Sequence, residues 1–367
     1  MKVSCLKEDL LIALNYTERI AGTNPTLPIL NCVLLKINKS FKIYSTNLDL
    51  AVEVSVPGDI SGEGSAAVPA TLLYTTVQNT NTNNPITLEI KENNLLLSTK
   101  EGKTTIKTLP VDDFPIPTKQ NSKKTLNLDK NQLINGVNSV VYSASNTTIK
   151  PELASVYIYQ NQNNLIFVST DSFRLAEKKI PNKTEGSVID PTIIPYKNAT
   201  EVVRIISNSK EDNISVLLNE AQAIFSIENV IITSRLINGT FPDYKQIIPK
   251  TSTTEVVSLK QDLLTALKKV NIFSDRFNQA SFHIYPKKKT FTVSARSDEV
   301  GETFDDIDAS ITGEDLDINF NNRYVSDVFS SINSDSMSLS FSGLGKPLII
   351  KGVSDESFLY LVMPMNR

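Results

Sequence analysis

The sequence predicts an α+β protein built from three copies of one domain, each with two helices packed on antiparallel sheets. Three observations predict it. A charged start followed by apolar residues at helical spacing occurs three times, at Leu6–Leu14, Leu128–Gly136 and Leu259–Leu267. Leu10, Leu133 and Leu263 hold the same place in each. The elements that follow run in the same order, and the first two copies close on Pro-rich connections. Self-similarity at a fixed period is the signature of repeated architecture.

Each copy opens on an apolar strand residue that feeds an amphipathic helix. A strand rich in apolar residues follows, over Ile29–Ile37, Leu153–Tyr159 and Ala280–Tyr285. Turn residues come next: Ser45–Asp49, Ser169–Phe173 and Ser294–Asp298. The second helix is expected over Pro69–Gln78, Pro195–Ile206 and Asn321–Ile332, with Pro69 and Pro195 suited to a helix start. Short strands close each copy, with corners at Gly102, Asn238-Gly239, Gly343 and Gly345. The connections Leu109–Pro115 and Phe241–Pro249 end the first two copies. The domains are therefore expected over 1–120, 121–250 and 251–367. Three domains on short linkers make an arc. An arc with complementary ends closes by head-to-tail dimerisation into a ring, which also covers sheet edges.

The third copy ends on Phe358–Val362, an apolar strand-like run, and then Met363-Pro364-Met365. Pro364 cannot donate to a ladder, so the strand must stop there. Taken alone the run reads as a terminal strand tucked into a core. Methionine outside a strand also suits varied apolar partners.

Composition narrows the function classes. The chain has 367 residues, 40% hydrophobic and 21% charged, which is globular. No apolar run approaches 18 residues, and the N-terminus turns charged at once, so neither a membrane span nor a signal peptide is expected and a cytoplasmic location is. Cys5 and Cys32 cannot make a disulfide framework and read as buried thiols. His283 is the one histidine, and it lies in an alternating strand-like run, Ser281–Tyr285. A satisfied strand histidine is the expectation there. No phosphate loop, paired-cysteine metal spacing or nucleophile elbow is present, so no catalytic residue, metal or cofactor is expected. The 40 carboxylates leave a two-carboxylate hydrolase open by count alone.

Net charge is −3, which argues against a simple basic nucleic-acid binder. Arg296–Asp317 holds nine carboxylates against one arginine. The helices carry Lys7, Arg19, Lys130, Lys197, Arg204, Lys260, Lys268 and Lys269. If they share a side, that side can lie near phosphates without gripping bases.

Four stretches then point to a family: Pro25–Leu30, Thr170–Ala176, Asn238–Tyr244 and Val362–Met365. In this order within three repeats they resemble the bacterial beta sliding clamps, the beta subunits of DNA polymerase III, over the whole chain. The resemblance implies three DNA-clamp domains, a homodimeric ring with helices lining the hole, duplex DNA held without sequence preference, and no chemistry. It implies partners that dock a short peptide between the second and third domains: the replicative polymerase catalytic subunit, the clamp loader and other clamp-binding-motif proteins. The matching groove positions are Leu153, Thr170, Ser172, Phe173, Arg174, Leu175, Pro242, Gln246, Ile247, Asn321, Tyr324, Pro347, Val362, Met363, Pro364 and Met365. For Arg174 an ion pair with Asp171 and a peptide contact both remain open. Ile106, Ile272 and Phe273 match dimer-interface positions, with buried core as the competing reading. Asn24, Lys150 and Lys197 match DNA-facing positions. Asn24 departs from the family's arginine there, and Gln246 replaces an arginine of some members. A clamp-fold relative with another role is the remaining alternative.

Overall fold

The computed structural model describes residues 1–22, 27–82, 84–116, 124–147, 149–182 and 190–365. The first repeat runs β1 (Lys2–Cys5), α1 (Lys7–Glu18), β2 (Cys32–Ile37), β3 (Phe41–Thr46), β4 (Leu50–Val56), β5 (Asp59–Gly62), β6 (Gly64–Pro69), α2 (Ala70–Asn79), β7 (Ile86–Lys91), β8 (Asn94–Ser98) and β9 (Lys103–Lys107). The second runs β10 (Lys124–Asp129), α3 (Lys130–Val140), β11 (Ser155–Asn161), β12 (Asn164–Thr170), β13 (Arg174–Pro181), β14 (Thr192–Pro195), α4 (Tyr196–Ile206), β15 (Asn213–Leu218), β16 (Gln222–Ile227) and β17 (Val230–Arg235). The third runs β18 (Thr254–Leu259), α5 (Lys260–Ile272), β19 (Gln279–Tyr285), β20 (Thr290–Ser297), β21 (Gly301–Asp306), β22 (Ala309–Gly313), β23 (Leu316–Asn321), α6 (Asn322–Asp327), β24 (Ser336–Phe341), β25 (Leu348–Gly352) and β26 (Asp355–Val362).

The sheets do not stop at the repeat limits. The chain packs as two units, one of Met1–Asn131 with Glu201–Leu236 and one of Gln132–Thr200 with Ile237–Arg367. The first unit has a five-stranded sheet, β5-β1-β7-β8-β9, and an eight-stranded sheet, β10-β15-β16-β17-β4-β3-β2-β6. In the latter, β17 of the second repeat pairs antiparallel with β4 of the first, Val230 opposite Val54 through Ser234 opposite Leu50. The second unit has a nine-stranded sheet, β14-β11-β12-β13-β26-β25-β24-β18-β22, and a four-stranded sheet, β21-β20-β19-β23. There β26 of the third repeat pairs with β13 of the second, Arg174 opposite Val362 through Lys178 opposite Phe358. Each seam is thus a backbone ladder, which binds any sequence of suitable pattern without needing matched side chains.

Strand alternation fixes which faces are buried. β19 buries Ala280, Phe282 and Ile284, and β24 buries Met337, Leu339 and Phe341. Phe282 meets Phe320 edge-on at 5.4 Å and 82°, the favoured aromatic geometry, within the third repeat's core. In the second repeat, Gly136 of α3 lets the helix seat on β12. A Cβ there would fall 2.4 Å from the Phe167 ring.

Several boundaries differ from the sequence expectation. Pro69 and Pro195 end the strands before α2 and α4 and do not stand inside the helices. The third repeat's second helix spans only Asn322–Asp327 before a 3-10 turn, Val328–Ser331. Asn321 accepts from the Arg323 and Tyr324 N–H groups and sets its start. Ser294–Ser297 lie within β20 because β21 pairs alongside as far as Ser297–Gly301, so the turn moves to 298–300.

One device recurs in all three repeats. The lysine opening each first helix reaches a carbonyl in the last turn of the second helix or a few residues beyond it. Lys7 Nζ donates to Gln78 O (3.3 Å), Lys130 Nζ to Ser209 O (2.8 Å) and Lys260 Nζ to Ile332 O. A cation there meets the negative end of the helix dipole and satisfies an unpaired carbonyl. Lys260→Met is expected to lower stability by about 1–2 kcal/mol. Lys268→Met, exposed on the same helix, should stay within about 0.5 kcal/mol. Urea midpoints of the two variants check this, and equal losses would contradict it.

Candidate functional site

The groove positions gather in the second unit, around the turn that joins β12 to β13. Asp171 Oδ1 accepts from the Phe173 and Arg174 N–H groups, both at 2.9 Å. Thr170 Oγ1 donates to Arg174 O (2.7 Å) and accepts from Ser172 N (3.2 Å). These bonds hold Ser172 at φ +78°, a left-handed conformation that costs about 1–2 kcal/mol for a residue with a Cβ. The turn throws Phe173 outward, 60% exposed, and folds Arg174 inward, 8% exposed.

The C-terminal run lies against this turn. After Val362 the ladder gives way, and Met363 N donates to Phe173 O at 2.8 Å. Pro364 has no N–H. Met365 N then donates to Asn319 O on β23, also at 2.8 Å. The Met-Pro-Met segment is therefore tied to the second repeat at one end and the third at the other, with all three side chains half-buried. Beneath lies an apolar cluster that includes Leu175, Phe241, Tyr244 and Leu361, with Met363 and Ile248 packed on it. Phe241 stacks on Tyr157 at 4.7 Å and 11°.

Arg174 crosses from one repeat to the other. Its Nε is 3.0 Å from Asp171 Oδ2, its Nη1 bonds Asp327, and its guanidinium lies 4.4 Å above the Tyr324 ring. Burial works against the charge, but Tyr360, Asp327 and Asp171 outweigh it and hold the guanidinium pKa above its ordinary value. The ion-pair reading left open in the sequence holds, with Asp327 as a second partner. Nothing in the sequence pairs positions 153 residues apart. Tyr244 was missed for the same reason. Its hydroxyl donates to the buried Glu177 carboxylate and lies 2.8 Å from Tyr159 OH. Burial and these two partners push its pKa upward.

The sixteen groove positions fall into two layers. Ser172, Phe173, Pro242, Gln246 and Ile247 are exposed, and Asn321, Tyr324, Met363, Pro364 and Met365 are half-buried. Leu153, Thr170, Arg174, Leu175, Pro347 and Val362 are buried and back them. Gln246 Nε2 donates to Asp243 Oδ2 at 2.7 Å.

The other positions are dispersed. Lys150 is exposed beside the second repeat's β11, and Lys197 is exposed on α4. Asn24 lies outside the described residues. Of the helix cations, Lys7, Lys130 and Lys260 are engaged with backbone carbonyls, Arg204 with Glu201 and Asn15, and Lys269 with Asp305. They are less available to a ligand than the sequence suggests. Ile106 is 2% exposed and packs within its own repeat, opposite Leu95. Ile272 is 69% exposed at the end of α5, and Phe273 is half-buried beside it.

His283 sits between Asp317 (Nδ1–Oδ1 2.6 Å) and Ser294 (Nε2–Oγ 2.9 Å), the order of an acyl-transfer triad. The three side chains line neighbouring strands β23, β19 and β20, whose backbone groups are spent on the ladder. Both ring nitrogens are engaged and Ser294 is buried, so the histidine is the satisfied strand residue expected. Both cysteines are free and buried. Burial and Asp9 push the Cys5 thiol up to about 12, and burial pushes Cys32 up to about 11, so neither is a ready nucleophile. Among the described residues no cluster of three or more His, Cys, Asp or Glu could hold a metal. No helix among them is long and apolar enough to cross a membrane.

Three like repeats joined by seams made of backbone ladders define a repeated clamp-type fold. The DNA polymerase III beta subunit's N-terminal, central and C-terminal domain profiles match residues 1–118, 127–243 and 245–366, and the chain belongs to that family. It is 28% identical over 390 residues to the beta sliding clamp of Synechocystis sp., covering 100% of this chain and 99% of that one. The clamp of Bacillus subtilis is 26% identical over 386 residues, with both chains fully covered. The crystal structure of the DNA polymerase III beta subunit from Thermotoga maritima superposes with a TM-score of 0.93 at 26% identity, over 100% of this chain and 99% of that one.

The seam itself is testable through Lys178, whose Nζ lies 3.3 Å from Asp355 Oδ2 and donates to Ser357 Oγ at 2.7 Å. Burial would raise the Asp355 pKa, but the Ser357 hydroxyl and N–H and the Lys178 charge outweigh it and lower it. A carboxyl lowered in the fold stabilises above its unfolded pKa, about 3.9, and that stability goes as pH falls through the folded value. Asp355→Asn should therefore be less stable than the parent at pH 7, and the gap should close below about pH 4. Urea midpoints from pH 3 to 7 check it; a gap independent of pH would contradict it.

Proposed function

We propose that this protein is a DNA sliding clamp, a ring that encircles duplex DNA in the cytoplasm and tethers the replicative polymerase and other proteins through the groove at the second seam. The observation that carries the tethering is the Met363–Met365 segment, tied to Phe173 O and Asn319 O with its side chains half-buried over an apolar cluster. An adaptable apolar wall with polar groups at its rim fits short peptides from many partners, the clamp loader and polymerase catalytic subunit among them. Tethering raises the effective concentration of the polymerase at the primer end, so the clamp needs no chemistry of its own. Lys150 and Lys197 would meet phosphates, and Asn24 would add no charge there. Weak contact blind to sequence is what sliding requires.

Ring closure would join two copies of the three domains, 1–120, 121–250 and 251–367, head to tail. Edge strand β9 exposes Lys103 and Lys107, and edge strand β21 exposes Glu302, Asp306 and Phe304. Among the described residues each pairs on one side only, with β8 and β20. Opposite charge across two open edges favours a copy of the one against the other and disfavours like-with-like pairing. Ile272 and Phe273 would pack beside that joint, and Ile106 would support β9 from within.

A fluorescence titration with a labelled Gln-Leu-Asp-Leu-Phe peptide tests the groove. The intact protein should bind with a micromolar dissociation constant, about −8 kcal/mol, and protein lacking Met363–Arg367 should not. Equal binding by both would remove the groove from its proposed place. No binding by either would favour a clamp-fold relative with another role.

A further inference from the structure

We infer that the chain carries a second docking groove, at the seam between the first and second repeats, that takes a partner's extended peptide bearing an aliphatic anchor and a carboxylate. The inference rests on the reading of the second seam as a peptide groove, because the first seam repeats its construction. Asn47 Oδ1 accepts from the Asp49 and Leu50 N–H groups at 3.0 and 2.8 Å. Thr46 Oγ1 donates to Leu50 O (3.0 Å) and accepts from Leu48 N (3.0 Å). Leu48 stands at φ +77°, as Ser172 does at +78°. The turn between β3 and β4 is therefore the turn between β12 and β13 over again.

The strand beside it repeats as well. Just past the β17–β4 ladder, Arg235 N donates to Asp49 O at 2.8 Å, as Met363 N donates to Phe173 O beyond β26. Arg235 thus takes the place of Met363. The Pro-rich connection closes the side in both, with Phe114, Leu109 and Val111 packed in a cluster here as Phe241 and Tyr244 are there. What is left open is a cavity of about 260 Å³ walled by Leu48, Leu50, Pro115, Ile116 and Arg235. Leu48 and Ile116 are 48% and 43% exposed, an unusual outlay of large apolar surface on a turn and a connection. The volume suits an amino-acid side chain better than a drug-sized ligand.

The exchange of Met363 for Arg235 decides the occupant. Arg235 is 65% exposed, and Asp49, 3.5 Å from its Nη1, engages one end of a five-donor fork. A guanidinium so placed recognises a carboxylate in two-point fashion. A methionine in the same place serves aliphatic and aromatic side chains. The two grooves would sort partner peptides by charge, so one ring could hold two kinds of partner at once.

Isoleucine-methyl NMR on the full-length protein separates the two sites, since Ile116 reports the first seam and Ile247 the second. The probes are acetyl-Glu-Leu-Asp-Leu-amide and the Gln-Leu-Asp-Leu-Phe peptide. The acidic probe should shift the Ile116 methyl with a dissociation constant of about 1 mM or tighter and leave Ile247 in place. Arg235→Ala, which breaks only an exposed pair, should weaken that shift at least about tenfold without unfolding. An Ile116 methyl unmoved at about 5 mM probe, an equal response in Arg235→Ala, or a response at Ile247 alone would overturn the inference. Failure of the second probe to move Ile247 would count against the second-seam groove and leave the Ile116 result to be read by itself.

Discussion

The backbone ladder between repeats is the constraint on which the rest depends. Because β26 pairs with β13, the chain's last described residues are delivered to the Asp171–Phe173 turn with only a proline's interruption. Because β17 pairs with β4, the same happens at the first seam. Each ladder merges two repeats into one sheet, so the compact units of the chain cut across the repeats. A ladder also fixes register, since a one-residue slip would turn every side chain to the other face. Leu361 and Tyr360 are buried on opposite faces of β26, and a slip would exchange their surroundings.

Side chains add specificity to what the ladder sets. Arg174 joins Asp171 on its own turn to Asp327 on the facing helix and covers Tyr324. Taking such a charge out of water is costly unless every partner is in place. Here two carboxylates and an aromatic face supply them, and in the proposed groove this would form a wall whose shape is set before any peptide arrives. Preformed geometry lowers the ordering cost of binding. The half-buried methionines next to it would give the proposed groove a compliant wall beside the rigid one.

Much of the architecture was legible in the sequence, and the reasons are local. The Leu6, Leu128 and Leu259 patterns mark strand-to-helix junctions because helix periodicity and a charged start are encoded within about ten residues. The turn residues Asp171 and Asn47 were legible because their side chains bond their own backbone. Long-range choices were not. That the Phe358–Val362 strand adds to β13, that Asp327 pairs with Arg174, and that helix lysines serve carbonyls instead of a basic surface all depend on partners far along the chain. The third repeat's short α6 and long β20 show the same limit: β21 pairing extends β20 past residues that read as a turn.

A sliding clamp's hold on DNA is topological: as proposed, the protein would surround the duplex and not grip it. The most direct measurement loads labelled protein onto nicked circular DNA with a clamp loader and ATP, isolates the complex by gel filtration, and then cuts half the sample with a restriction enzyme. The account predicts retention on the circle and rapid loss from the linear form at the same ionic strength. Equal retention on both forms, or release from both that tracks salt alone, would contradict it.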